Sequence, residues 1–207
     1  MTGAVGDPGR EVGPTLRDQP ARWPVTGTRD LHRDEWVIAL REDLVQRPGH
    51  PDDSFARLVV EHPGAVIVLA VDDQERVCCL RHYRHASGGV FVELPAGLRD
   101  THGEDPVETG RRELREEVEL AAGRWQHLLT LRPSAGITDE EHVLFLARDL
   151  RHADRGDFSL HHEEAEMEVF WVPMADLLDA VLDGRVTEGP LAACVLAYDV
   201  LKRRGNL

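Results

Sequence analysis

The chain has 207 residues, 42% of them apolar, and a formal net charge of −14. That length and apolar fraction suit one folded domain with extensions at its ends. The charge argues against a nucleic-acid or anionic-membrane binder, both of which want a basic face, but not against a small phosphate ligand held through a bound cation.

Residues 1–28 are rich in Gly, Pro, Arg and Asp without periodicity, which predicts a mobile tail. The start has no apolar core of the kind a signal peptide carries, and no apolar run reaches the length of a membrane span. Strands are predicted at 36–45 and 54–62, joined by the RPGHPDD turn, and at 65–73, where AVIVLAVDD reads as a buried strand. Further strands follow at 76–85, 90–97, 125–132, 141–150 and 166–174. Helical patterns cover 105–118, 174–183 and 188–203. Strands outnumber helices and do not alternate with them, so the expected class is α+β: a mixed sheet sandwiched by helices. Cys78, Cys79 and Cys194 form no CxxC pair, and a reduced cytoplasmic protein is the simplest reading.

The helix at 105–118 carries the chemistry. Asp105 suits the N-cap, Pro106 the first helical position, and Glu108 stands three residues after the cap. Val107, Leu114 and Val118 form one apolar stripe. Glu108–Arg112, Arg112–Glu116 and Arg115–Glu119 are spaced for ion pairs on a solvated face. Glu113 and Glu117 do not fit that pattern. They lie one turn apart at the stripe's edge, with Glu116 between them and no basic residue at helical contact spacing. Three converging carboxylates need a counter-charge, and Mg²⁺ or Mn²⁺ prefers oxygen donors of this kind.

GLRDTHGEDPVETGRRELREEVEL at 97–120 resembles the Nudix box, matching at Glu104, Arg112, Glu113, Leu114, Glu116, Glu117 and Leu120. Two positions depart from it. Six residues instead of five separate Gly97 from Glu104, and Glu119 stands where the motif has its second glycine. The stretches RHYRH (81–85), ELPAG (93–97), SAGITDE (134–140) and HHEEAEM (161–167) are similar to the ADP-ribose pyrophosphatase branch of the family, the actinobacterial type above all. The resemblance implies a Nudix α/β/α sandwich over 64–207. It also implies a preceding strand region, 29–63, exchanged between the subunits of a homodimer.

The implied activity is metal-dependent cleavage of ADP-ribose to AMP and ribose 5-phosphate. Another nucleoside-diphosphate sugar, or a dinucleotide, is the alternative within the same chemistry; a ligand sensor that binds without cleaving is the alternative outside it. Glu113 and Glu117 are the expected metal ligands, with Glu116 either a ligand or an orienter of the metal-bound water. The resemblance adds the main-chain carbonyl of Ala96, although LPAG read by itself is a plain turn. In HHEEAEM, adjacent histidines cannot easily aim both rings at one zinc ion. By resemblance Glu164 is the catalytic acid that reaches the site from a distant loop, with Glu163 and Glu140 as rivals. Arg84 and Arg57 match substrate-gripping arginines, whose planar fork suits phosphate or adenine. Glu93 is a candidate for a ribose hydroxyl, and Trp36 for stacking a base across a dimer interface. Read without the resemblance, the two arginines are strand-face residues in salt bridges and Trp36 is packing.

Overall fold

A computed structural model of the chain describes residues 16–33 and 38–207. Among these residues the strands are β1 (Val25–Arg33), β2 (Ala39–Gln46), β3 (Ser54–Glu61), β4 (Ala65–Ala70), β5 (Arg76–Arg84), β6 (Gly89–Glu93), β7 (Ala96–Leu98), β8 (Leu120–Leu131), β9 (His142–His152) and β10 (Glu168–Pro173). The helices are α1 (Pro106–Val118), α2 (Met174–Leu182) and α3 (Gly189–Arg203).

The centre is a mixed sheet in the order β7-β4-β9-β8, with β4 parallel to β9 and the other neighbours antiparallel. β4 explains why the molecule has two helical layers. Its alternate side chains Val66, Val68 and Ala70 join the core that holds Leu114 and Val118 of α1. Ile67 and Leu69, which point the other way, join the core that holds Leu191, Val195 and Tyr198 of α3 and Leu177 of α2. Each fully buried side chain of this size contributes about 1.5–3 kcal/mol. An unbroken apolar run is what a strand needs when both of its faces lose their water. The α+β class, with a mixed sheet sandwiched by helices, is therefore as expected.

Two smaller antiparallel sheets complete the fold, β1-β2-β3 and β10-β5-β6. The first is tied to the body where the Val60 N–H donates to the Ile137 carbonyl at 2.8 Å. β1 begins at Val25, inside the segment expected to be tail, because it pairs with β2 although its own sequence shows no alternation. The strand expected at 90–97 is split. Pro95 has no N–H to donate, and the chain crosses there from β6 in one sheet to β7 in another. β8 starts directly after α1, five residues earlier than expected from its apolar pattern.

α1 starts as its sequence predicts. Asp105 is extended at φ −66°, ψ 132°, and its side chain accepts from the Val107 N–H at 3.0 Å. The capping box is not closed, since Glu108 accepts from Arg111 at 2.6 Å instead of reaching back. Nor does Arg115 pair with Glu119; it donates to the Asp154 carbonyl at 2.7 Å. The helix stops at Glu119, which takes the left-handed conformation at φ 53°. A side chain there costs about 1 kcal/mol relative to glycine, while the 3.5 Å pair that Glu119 makes with Arg155 is half-exposed and weak. Glu119→Gly is expected to raise the melting temperature by about 2 °C. A thermal melt checks this, and an unchanged or lower midpoint removes the strain argument.

Candidate active site

α1 packs across the corner between β6 and β7, and three of its glutamates face that corner. Glu117 is 8% exposed and Oε2 accepts from the Ala96 N–H at 2.9 Å. Among the described residues no cationic side chain bonds to it. Burial, reinforced by the charge of Glu113, holds the Glu117 carboxyl well above the ordinary carboxylate range. Glu113 lies over Gly97 so closely that a Cβ there would stand 1.9 Å from Oε1. Only glycine leaves room for that carboxylate, which explains the first glycine of the box despite its lengthened spacing. Burial pushes the Glu113 carboxyl up to about 7, against the opposing pull of Arg112.

One expectation about this pair is corrected. Glu113 has a basic neighbour, because Arg112 NH1 donates to it at 2.6 Å and to Glu116 at 3.3 Å. Adjacent helical residues do not normally face each other, but Arg112 is long enough to fold back over the carboxylates at the helix surface. Glu104, whose Oε2 accepts from Thr109 Oγ1 at 2.8 Å, lies 3.8 Å from Arg112 and fastens the preceding loop to the helix. Of the three glutamates, Glu117 is therefore the one that is both buried and, among the described residues, without a cation.

A cavity of about 650 Å³ opens above this corner, with Arg84, Glu93, Ala96, Glu113, Glu116, Glu117 and Glu164 among its lining. Seven of the nine residues expected at the site are thus brought together from β5, β6, β7, α1 and the short 3-10 turn His162–Glu166. Glu164 is half-buried and faces the cavity, whereas Glu163 is exposed and does not line it. The charge of Glu164 is felt by both Glu113 and Glu117. Glu140 also reaches the cavity, but its Oε1 is bonded to His142 Nε2 at 2.7 Å and lies 3.3 Å from His62 Nδ1. Arg84 is held by Glu93 through contacts of 2.8, 3.1 and 2.6 Å.

Two expected residues are elsewhere. Arg57 lies on β3 with its guanidinium 4.2 Å over the Phe55 ring, and it does not line the cavity. Trp36 falls outside the described residues.

The NUDIX domain model matches residues 61–191. The chain belongs to the Nudix hydrolase family. It is 44% identical over 161 residues to a protein of Mycobacterium tuberculosis named ADP-ribose pyrophosphatase, covering 78% of this chain and 76% of that one. A Bacillus subtilis protein of the same name is 32% identical over 165 residues, covering 77% of this chain and 83% of its own length. A solved structure described as an ADP compounds hydrolase superposes with a TM-score of 0.73, covering 92% of this chain and all of that one; at 18% identity it speaks to the fold alone.

Nudix hydrolases generally need a divalent metal ion. Two features of this Nudix hydrolase suit one. The donors at the corner are hard oxygens, and Glu117 is a buried carboxylate without a counter-charge. The donors are not yet gathered. Among the described residues no three acidic, histidine or cysteine side chains surround one point. A cation held there would be ligated by Glu113, Glu116 and Glu117, and would compete with Arg112 for Glu113.

Several lining residues were not foreseen as site residues. His62 and His142 lie outside the stretches that carry the resemblance, and His82 lies inside RHYRH without an assigned role. Glu188 caps α3, accepting from the Leu191 N–H at 2.6 Å, and burial pushes its carboxyl up to about 7. Its place before a Gly-Pro helix start signals a cap, and nothing local signals a cavity.

Proposed function

We propose that this Nudix hydrolase cleaves ADP-ribose to AMP and ribose 5-phosphate, with Mg²⁺ or Mn²⁺ held by Glu113, Glu116, Glu117 and the Ala96 carbonyl. The observation that carries the metal seat is Glu117, a buried carboxylate bonded to the Ala96 backbone and to no cation. The choice of substrate is supported by the relative that shares 44% of its residues over most of both chains. Bound metal neutralises phosphate oxygens and lowers the pKa of its water. Glu164, reaching in from the opposite wall, orients the attacking water and takes its proton. Arg84 leaves Glu93 to grip the diphosphate, and Arg112 continues to brace the loop against α1.

The decisive experiment supplies Mg²⁺ or Mn²⁺ with ADP-ribose, other ADP-sugars, UDP-glucose, NADH and oxidised nucleotides, and follows phosphatase-releasable phosphate. Turnover confined to ADP-sugars supports the reading. Preference for another nucleotide sugar moves the substrate, and binding without turnover turns the protein into a sensor.

A homodimer belongs to the same reading. The β1-β2-β3 sheet exposes Val25, Leu31, Leu44 and Leu58, an apolar surface suited to a second copy. Arg57, which does not line its own cavity, then serves the partner's. Mixing Arg57→Ala chains with Glu164→Gln chains is expected to restore activity, because each mixed dimer carries one site with both native residues. No recovery after confirmed subunit exchange places Arg57 outside the reaction. A cytoplasmic location completes the proposal, consistent with three buried thiols in place of disulfides.

A further inference from the structure

His82 is a buried group that the proposed reaction does not use. It sits on β5, two residues before Arg84, and is 5% exposed. It lines the catalytic cavity, yet among the described residues neither ring nitrogen has a hydrogen-bond partner. Buried polar atoms left in that state are rare, and each disfavours the arrangement that strands it. Burial, with Arg84 nearby, keeps the imidazole below its ordinary pKa, so the ring is neutral and offers one donor and one acceptor.

One acceptor close to the ring is Glu93. His82 Nδ1 lies 3.7 Å from Glu93 Oε2, just beyond bonding distance. Both Glu93 oxygens are engaged by Arg84. Glu93 is 7% exposed, so it has little water to fall back on. Arg84 is half-exposed and, among the described residues, is the one cation bonded to it. When Arg84 turns to a diphosphate, Glu93 becomes a buried carboxylate without a partner, which is costly.

We propose that His82 is a positioning residue that takes over Glu93 when Arg84 leaves it for the substrate. The Nδ1–H moves about 1 Å toward Glu93 and donates to it. The unpartnered imidazole of the ligand-free state is thus the receiving half of a hand-off. Arg84 is released at lower cost, and the gain appears in substrate affinity. This rests on the reading that Arg84 grips the substrate.

The test compares kcat, KM and melting temperature for ADP-ribose across variants. His82→Phe keeps the ring and removes both nitrogens; His82→Met replaces it if that chain does not fold. The expected result is a KM raised about tenfold, with kcat within about threefold and an unchanged or higher melting temperature without substrate. His82→Gln, which retains a donor and an acceptor, is expected to stay within about threefold of the wild-type KM. In a Glu93→Gln background, where no buried charge needs the donor, His82→Phe is expected to add nothing. Arg84→Ala separates the two layers of the argument. If it leaves KM unchanged, the substrate reading of Arg84 fails. If it raises KM while His82→Phe does not, or if His82→Phe acts equally with and without Glu93, the hand-off is overturned.

Discussion

Replacing Glu117 by glutamine is expected to lower kcat at least about 10²-fold and, in chelator, to raise the melting temperature. The first effect follows from the loss of an anionic donor to the cation, whose stabilisation of transition-state charge amounts to several kcal/mol. The second follows from burial. Glutamine keeps an oxygen for the Ala96 N–H and removes a charge that has no cationic partner. The carboxylate is thus kept at a cost to stability, which is what a metal ligand requires of a metal-free fold.

The same cost has a pH signature. Glu113 and Glu117 both have folded-state pKa values above their ordinary 4.5, the first at about 7. A carboxyl raised in the folded state contributes stability that is fully present below the unfolded pKa and lost as pH rises through the folded one. In chelator, the melting temperature of the native chain is therefore expected to fall as pH rises from about 4.5 through about 7. Added Mg²⁺ or Mn²⁺ is expected to offset the loss, because binding to the folded state alone stabilises it. Glu117→Gln is expected to weaken both responses. Matched melts with chelator and with metal read all three, and a variant that melts lower than the native chain in chelator defeats the assignment.

Glu164→Gln is expected to separate catalysis from stability in a different way. Glu164 is half-buried on a 3-10 turn, and among the described residues its carboxylate makes no hydrogen bond or ion pair. The amide fills the same space but cannot accept a proton, so kcat is expected to fall by about 10²–10⁴-fold. The melting temperature and metal affinity are expected to stay near native values, since the residue supports neither. Glu163→Gln, one position earlier and exposed, is expected to retain activity. Near-native turnover in Glu164→Gln, or a loss confined to Glu163→Gln, reassigns the base. The structure favours Glu164 over Glu140 for a physical reason, since Glu140 is already committed to His142 and lies close to His62.

Much of the fold could be read from residue order. The Asp105 cap, the Leu114–Val118 stripe and the buried run of β4 all follow from local rules. The break at Pro95 was missed, because alternation on either side of it continues as though one strand passed through. The start of β1 was missed for the opposite reason: its nine residues are all exposed, so no pattern marks them, and only pairing with β2 holds them extended.

The site divides along the same line. The spacing of Glu113, Glu116 and Glu117 places three carboxylates on one side of a helix, since 3.6 residues per turn is a property of the backbone alone. Which of them loses its water, and which finds an arginine, depends on what lies against the helix. Arg112 reaches Glu113 and Glu116, while the β6–β7 corner closes over Glu117. The open nitrogens of His82 and the grip of Glu93 on Arg84 likewise arise between neighbouring strands and a distant turn. Periodicity is a local quantity and survives in one dimension. Burial and charge pairing are sums over neighbours that chain order does not make adjacent.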